Sequence, residues 1–134
     1  MNAESTKSVI TNMFRAFADR LDDPTVVLKD MAEDGEWWVA GSMSMSGSKT
    51  KAQLVELMRG VAGSVDGGLT MSPRPESWII EGEKVAVEVD SRMKLKDGRE
   101  YQNEYHFRIQ MRGNQILQVK EYLDTIRAAE IFGY

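Results

Sequence analysis

Between Ser5 and Leu21 the apolar residues Val9, Ile10, Met13, Phe14, Phe17, Ala18 and Leu21 recur at steps of three and four. That spacing lines one face of an α-helix. Asp23-Pro24 restarts a short second helix, with the carboxylate as N-cap, proline in the first turn, and Val27, Leu28 and Met31 turned inward. Residues 36–40 carry two tryptophans and a valine, which suits a strand, and lead into a Gly/Ser/Met loop at 41–48 able to cover a pocket. Ser48 or Thr50 caps a third helix to about Val61, with Leu54, Val55, Leu57, Met58 and Val61 apolar, before Gly60, Gly63, Gly67 and Gly68 break it.

Past Gly68 the period changes. Residues 69–72, 78–81, 85–95, 100–111 and 115–123 alternate or are rich in β-formers, separated by Pro73-Arg74-Pro75, Gly82-Glu83, Asp97-Gly98 and Gly113-Asn114. The last three strands form an antiparallel meander. Asp124 or Thr125 caps a closing helix over 126–131, leaving Phe132-Gly133-Tyr134 as a tail. Helices first and a meander afterwards predict an α+β fold. A strongly bent, mostly antiparallel sheet packs against three N-terminal helices and a short C-terminal one, forming a cone with a cavity at its wide end.

The length of 134 residues, 42% of them hydrophobic, is that of one domain spanning 1–134. The absence of cysteine removes disulfides and thiolate metal sites, and makes the cytoplasm the expected compartment. A net charge of −4 with scattered basic residues argues against nucleic acid. No apolar run approaches the roughly 20 residues of a membrane span, and Met1 to Lys7 lack the pattern of a signal peptide. Nine methionines suit an adaptable apolar lining, although methionine mostly fills gaps.

Parity along the strands selects the candidate chemistry. Tyr101, Asn103, Tyr105, Phe107, Ile109 and Met111 share the buried face of their strand; Gln102, Glu104, His106, Arg108 and Gln110 share the other. Asn103 among aromatics must find hydrogen-bond partners, either in the protein or in a ligand, and Tyr101 and Tyr105 add hydroxyls beside it. On the last strand Leu117, Val119, Glu121 and Leu123 lie together, so Glu121 is a carboxyl on an apolar face. Lost hydration raises its pKa toward the range of a general acid or base, unless it is a strand-end glutamate paired with Lys120, Arg108 or solvent. Val85, Val87, Val89, Met93 and Leu95 alternate with Ala86, Glu88, Asp90, Arg92 and Lys94, which by itself reads as a solvated charged face. The single histidine, His106, faces away from the cavity, and one histidine makes no metal site. Of Trp37 and Trp38 one is inside, and Trp37 is expected as a pocket wall or core filler.

Helices followed by Tyr101-Gln102-Asn103-Glu104-Tyr105-His106-Phe107, Gly113-Asn114-Gln115-Ile116 and Glu121-Tyr122-Leu123-Asp124-Thr125 resemble SnoaL-like and ketosteroid-isomerase-related proteins of the nuclear-transport-factor-2-like superfamily over nearly the whole chain. The resemblance implies the cone fold, a small-molecule pocket and a homodimer. It embraces isomerases, polyketide cyclases, dehydratases, epoxide hydrolases and non-catalytic domains. The aspartate base of ketosteroid isomerases aligns with Val39 and their acidic oxyanion donor with Phe107, so that isomerisation is not implied. Dehydratases of the scytalone type use histidines, and His106 faces outward. Limonene-type epoxide hydrolases carry an Arg-x-Asp pair and a later aspartate, where this chain has Glu88-Val89-Asp90 and Glu121. The resemblance therefore implies Asp90 and Glu121 as an acid/base pair across the cavity. Trp37, Tyr101, Asn103, Tyr105 and Phe107 would bind a small apolar metabolite, with no cofactor and no metal. The alternative is a non-catalytic domain of the same fold that binds a ligand or dimerises.

Overall fold

A computed structural model of the chain describes residues 2–134. Helix α1 spans Ala3–Asp19, and the Asn2 side chain caps it by accepting the Ser5 N–H at 2.8 Å. Its apolar stripe buries Ile10, Met13 and Phe14. Helix α2 is a single turn, Pro24–Val27, that buries Val27 and leads to buried Leu28. Asp23 precedes it as expected, but its carboxylate takes the Thr25 hydroxyl at 2.6 Å instead of capping backbone N–H groups.

Strand β1 runs over Met31–Val39, starting five residues earlier than its tryptophans suggest. Its first half hides in the sequence because Glu33 and Asp34 are exposed and the pairing register shifts between Met31 and Glu36. The Gly/Ser segment expected to be loop contains a short edge strand, β2 (Gly47–Thr50), antiparallel to β1. Thr50 then caps α3 (Lys51–Ser64) through a capping box: the Gln53 N–H donates to Thr50 Oγ1 at 3.2 Å, and the Thr50 N–H donates to Gln53 Oε1 at 2.9 Å.

Strands β3 (Val65–Pro73), β4 (Ile79–Glu81), β5 (Lys84–Leu95), β6 (Glu100–Arg112) and β7 (Gln115–Leu123) complete a seven-stranded sheet. Its order is β2-β1-β7-β6-β5-β3, with β4 paired to β5 off that path. All pairings are antiparallel except β1 on β7. The β5–β6–β7 meander follows the expected strands and turns, and Gly98 and Gly113 supply the positive φ angles, 90° and 63°, that its tight reversals need. A register shift between Gln110 and Met111 turns fully buried Ile116 inward, where simple alternation selects Leu117.

Helix α4 (Thr125–Phe132) is capped by Asp124, which accepts from the Ile126 and Arg127 N–H groups at 3.1 and 3.2 Å. The sheet is curled and unclosed. Its concave face receives α1 near β3, α3 near β1 and β2, and α4 near β6. The core lies in that concavity, with Phe107 fully buried among Phe14, Trp37 and Tyr105. Among the described residues no helix is long and apolar enough to cross a membrane.

Candidate active site

The curled sheet and the helices do not fill all the space between them. A cavity of about 120 Å³ remains at the end of the core, walled by Phe17 of α1, Leu21 of the turn after it, Leu54, Leu57, Met58 and Val61 of α3, and Ala128 and Phe132 of α4. Its floor is the concave face of the sheet, with Trp37, Met71, Ser91, Met93, Tyr101, Tyr105 and Glu121. The lining is almost wholly apolar. Glu121 is the only charged residue among the described residues that form it.

Glu121 arrives there because β7 alternates. Val119, two residues earlier, is fully buried on the same face, and Glu121 sits between Val39 of β1 and Phe107 of β6 in the sheet register. Glu121 is half-buried and lines the cavity, where its neighbours are almost wholly apolar. Burial therefore dominates and raises its pKa from 4.5 to about 7. Two smaller effects oppose burial. The Trp37 indole N–H donates to Oε1 at 3.0 Å, and the Lys49 charge favours the carboxylate.

The sequence gives no signal for Lys49, because its strand lies in a glycine- and serine-rich stretch. It is the β2 partner of Trp37 and so lies on the same side of the sheet. Its ammonium donates to the carbonyl oxygens of Met45 and of Gly47, the latter at 3.2 Å, and burial lowers its pKa while the Glu121 charge pulls the other way. Tyr134, expected in a tail, also lines the cavity. Burial, and then the Glu121 charge, raises its pKa.

The expected ligand-binding residues divide. Trp37, Tyr101 and Tyr105 face the cavity. Burial raises the pKa of both tyrosines, that of Tyr105 strongly. Asn103 faces inward, but its amide is spent on the protein. Nδ2 donates to Tyr101 Oη at 2.7 Å and to the Asp124 carbonyl at 3.0 Å, while Oδ1 accepts the N–H groups of Glu104 at 2.7 Å and Asp124 at 3.2 Å. Asn103 thus ties β6 to the start of α4 and is not a cavity contact. Phe107 stands behind Trp37 and Tyr105 as core, not as cavity wall.

Asp90 corrects the expected carboxyl pair. It projects from the opposite face of β5 to buried Val89 and Ser91, and Arg74 holds it with two hydrogen bonds of 2.9 and 2.7 Å. That guanidinium lowers the Asp90 pKa, chiefly through the hydrogen bonds. Glu88 and Glu104 stand 3.7 Å from the same arginine, so all three acids belong to an outer-face cluster. His106 is exposed on that outer face beside Tyr122, as parity requires.

Chemically the site offers one carboxyl poised near neutrality in an apolar hollow, steadied by an indole N–H, with a cation in its neighbourhood and two tyrosine hydroxyls on the next strand. Such a carboxyl is poised to give or take a proton near pH 7. Among the described residues no group of three or more His, Asp or Glu side chains is placed to hold a metal ion.

The curled, unclosed sheet with its helices is the nuclear-transport-factor-2-like fold. An NTF2-like protein of unknown function from Burkholderia pseudomallei matches over 100% of both chains, with a TM-score of 0.81 and 19% identity. The pinacolase BvnE from Penicillium brevicompactum matches 96% of this chain and 89% of its own, with a TM-score of 0.84 and 16% identity. TerC, crystallised with polyporic acid, matches 97% of this chain and 99% of its own, with a TM-score of 0.80 and 22% identity. No protein-family model and no curated protein matches the sequence.

Proposed function

We propose that the protein is an enzyme that rearranges, cyclises or hydrates a small apolar metabolite by proton transfer, with Glu121 as the acid/base group. The observation that carries this reading is the placement of Glu121: the lone carboxyl of an apolar cavity, with a pKa near 7 and an indole donor that fixes its orientation. Fold neighbours that include a pinacolase are compatible with such chemistry.

With Asp90 outside, a single group both removes and returns the proton. That favours reactions in which the proton leaves and re-enters one face of the substrate over reactions that need a separate acid and base. Trp37 positions the carboxyl, Lys49 limits how far its pKa climbs, and the methionines and aromatics exclude water around the reacting carbon.

The test is proton exchange. A panel of small cyclic ketones and enones is incubated in heavy water with the protein, and loss of the α-proton signals is followed by NMR. Glu121-dependent exchange at a rate well above buffer is the expected result, and Glu121→Gln abolishes it. Exchange that persists in the variant removes Glu121 from its role. Binding of panel members without any exchange identifies a ligand-binding domain instead.

A further inference from the structure

Ser91 is the most conspicuous polar group that acid/base chemistry at Glu121 does not use. It occupies an inward position of β5, in line with buried Val89 and Met93, and is itself only 1% exposed. It lines the cavity, yet its Oγ has no hydrogen-bond partner among the described residues. Buried hydroxyls ordinarily have one, and leaving one without costs stability. With no partner inside the protein and almost no accessible surface of its own, the Oγ gains a hydrogen bond only from a guest pressed against this wall of the cavity.

Its neighbours carry a second spare group. Ser91 pairs across the sheet with Asn103, which lies between Tyr101 and Tyr105 on the same face of β6. The orientation of the Asn103 amide is fixed by four partners: Oδ1 must accept two backbone N–H groups, so Nδ2 is what meets Tyr101 Oη. The two tyrosine oxygens lie 2.7 Å apart. That contact uses one hydroxyl hydrogen, and the pair has two. Whichever way the bond runs, one hydrogen is left, on a tyrosine that lines the cavity.

Size and walls restrict the guest. At about 120 Å³ the cavity is close to an engineered apolar cavity of about 150 Å³ that admits benzene, which is room for one ring. Its walls include Trp37, Tyr105, Met58, Met71 and Met93, flat or polarisable surfaces suited to a ring face.

We propose that Ser91, together with the spare hydroxyl hydrogen of the Tyr101–Tyr105 pair, anchors the oxygen atom of a one-ring oxygenated ligand: a phenol, a cyclic enol or a cyclic ketone. The serine hydroxyl both donates and accepts, so it serves a ligand hydroxyl and a ligand carbonyl alike. This rests on the same cavity being the site proposed above and names the class of molecule it receives, with the oxygen at Ser91 and a ring carbon toward Glu121.

Toluene and p-cresol, which differ by one hydroxyl, are the probes. Each is titrated calorimetrically into the wild-type protein, Ser91→Ala and Tyr105→Phe, and the folding stability of each variant is measured without ligand. Wild type is expected to prefer p-cresol, and Ser91→Ala to lower p-cresol affinity by about fivefold, the worth of one hydrogen bond, with toluene affinity unchanged. Stability of Ser91→Ala without ligand is expected to equal or exceed that of wild type, because no internal hydrogen bond is lost. Tyr105→Phe removes one hydroxyl hydrogen and frees the other, that of Tyr101, so it is expected to keep the p-cresol preference.

An unchanged p-cresol preference in Ser91→Ala overturns the anchor. So does a clear loss of stability in that variant, which would make the hydroxyl structural, and so does failure of p-cresol to bind at millimolar concentration. None of these readings involves proton transfer. Glu121-dependent exchange combined with an unchanged preference in Ser91→Ala thus sinks the anchor alone, whereas a Ser91-dependent preference without any exchange sinks the catalytic reading alone.

Discussion

Replacing Glu121 by glutamine separates the cost of its charge from every other effect of pH. In the unfolded chain the carboxyl titrates near 4.5, and in the folded protein burial moves it to about 7. Below pH 4.5 both states are protonated and the shift has no effect on stability. Between the two values the unfolded chain gives up its proton first, so the folded state holds more protons and stability falls as pH rises. Above about 7 both states are ionised and the penalty is constant. Each tenfold change in proton affinity corresponds to about 1.4 kcal/mol, so the full penalty is about 3 kcal/mol.

Glutamine keeps the shape and can still accept the Trp37 N–H, but it never ionises. The difference in unfolding free energy between Glu121→Gln and wild type is therefore expected to be near zero at about pH 4.5 and to grow to about 3 kcal/mol in favour of the variant by about pH 8. For a chain of this length that is a gain in Tm of about 10 °C. Urea unfolding of both proteins at several pH values measures it, and taking the difference cancels the contributions of all other groups. A difference that does not vary with pH would refute the reasoning, because it would mean that the carboxyl is as well solvated in the folded protein as in the unfolded chain.

Other substitutions test the remaining parts of the site. Lys49→Met removes the positive charge that favours the Glu121 carboxylate, so the Glu121 midpoint is expected to move further above 7; carbon-13 NMR of the side-chain carboxyl reads it, and a fall would contradict the assignment. Asn103→Ala takes four hydrogen bonds from the junction of β6 and α4 and is expected to lower the unfolding free energy by about 2–3 kcal/mol in urea titration. Asp90→Asn breaks an outer-face ion pair with Arg74 and is expected to leave proton exchange on the ketone panel at the wild-type rate.

Much of the molecule can be read from local pattern. The stripe Ile10, Met13, Phe14 specifies α1, and strict alternation with glycine-bearing turns specifies β5, β6 and β7, because these elements bury one face and are joined by short reversals. The inward placement of Glu121 follows from the same parity. Parity also puts Asp90 outward; it was family resemblance that drew it into the site, and the structure sides with the alternation. Ser91 sits at an odd position on the Val85-to-Leu95 face, so its isolation among apolar residues was visible in principle.

Three features were out of reach. Two of the four partners of Asn103 come from Asp124, 21 residues away, so its neighbours in sequence do not by themselves tell whether its amide is free. Lys49 depends on a strand whose glycine and serine composition resembles loop, and which exists because β1 offers it an edge. Tyr134 reaches the cavity because it follows α4, which lines the same cavity through Ala128 and Phe132.

The hydrogen bond that orients the site carboxyl joins residues 84 positions apart in the chain. The three consecutive strands of the meander can zip from their own turns in microseconds, whereas β1 must find the far side of β7 and lie parallel to it, closing a very long loop first. Trp37 and Glu121 consequently meet only when the chain is almost assembled. The long-range pairing of β1 with β7, and not the local meander, is what puts the indole against the carboxyl.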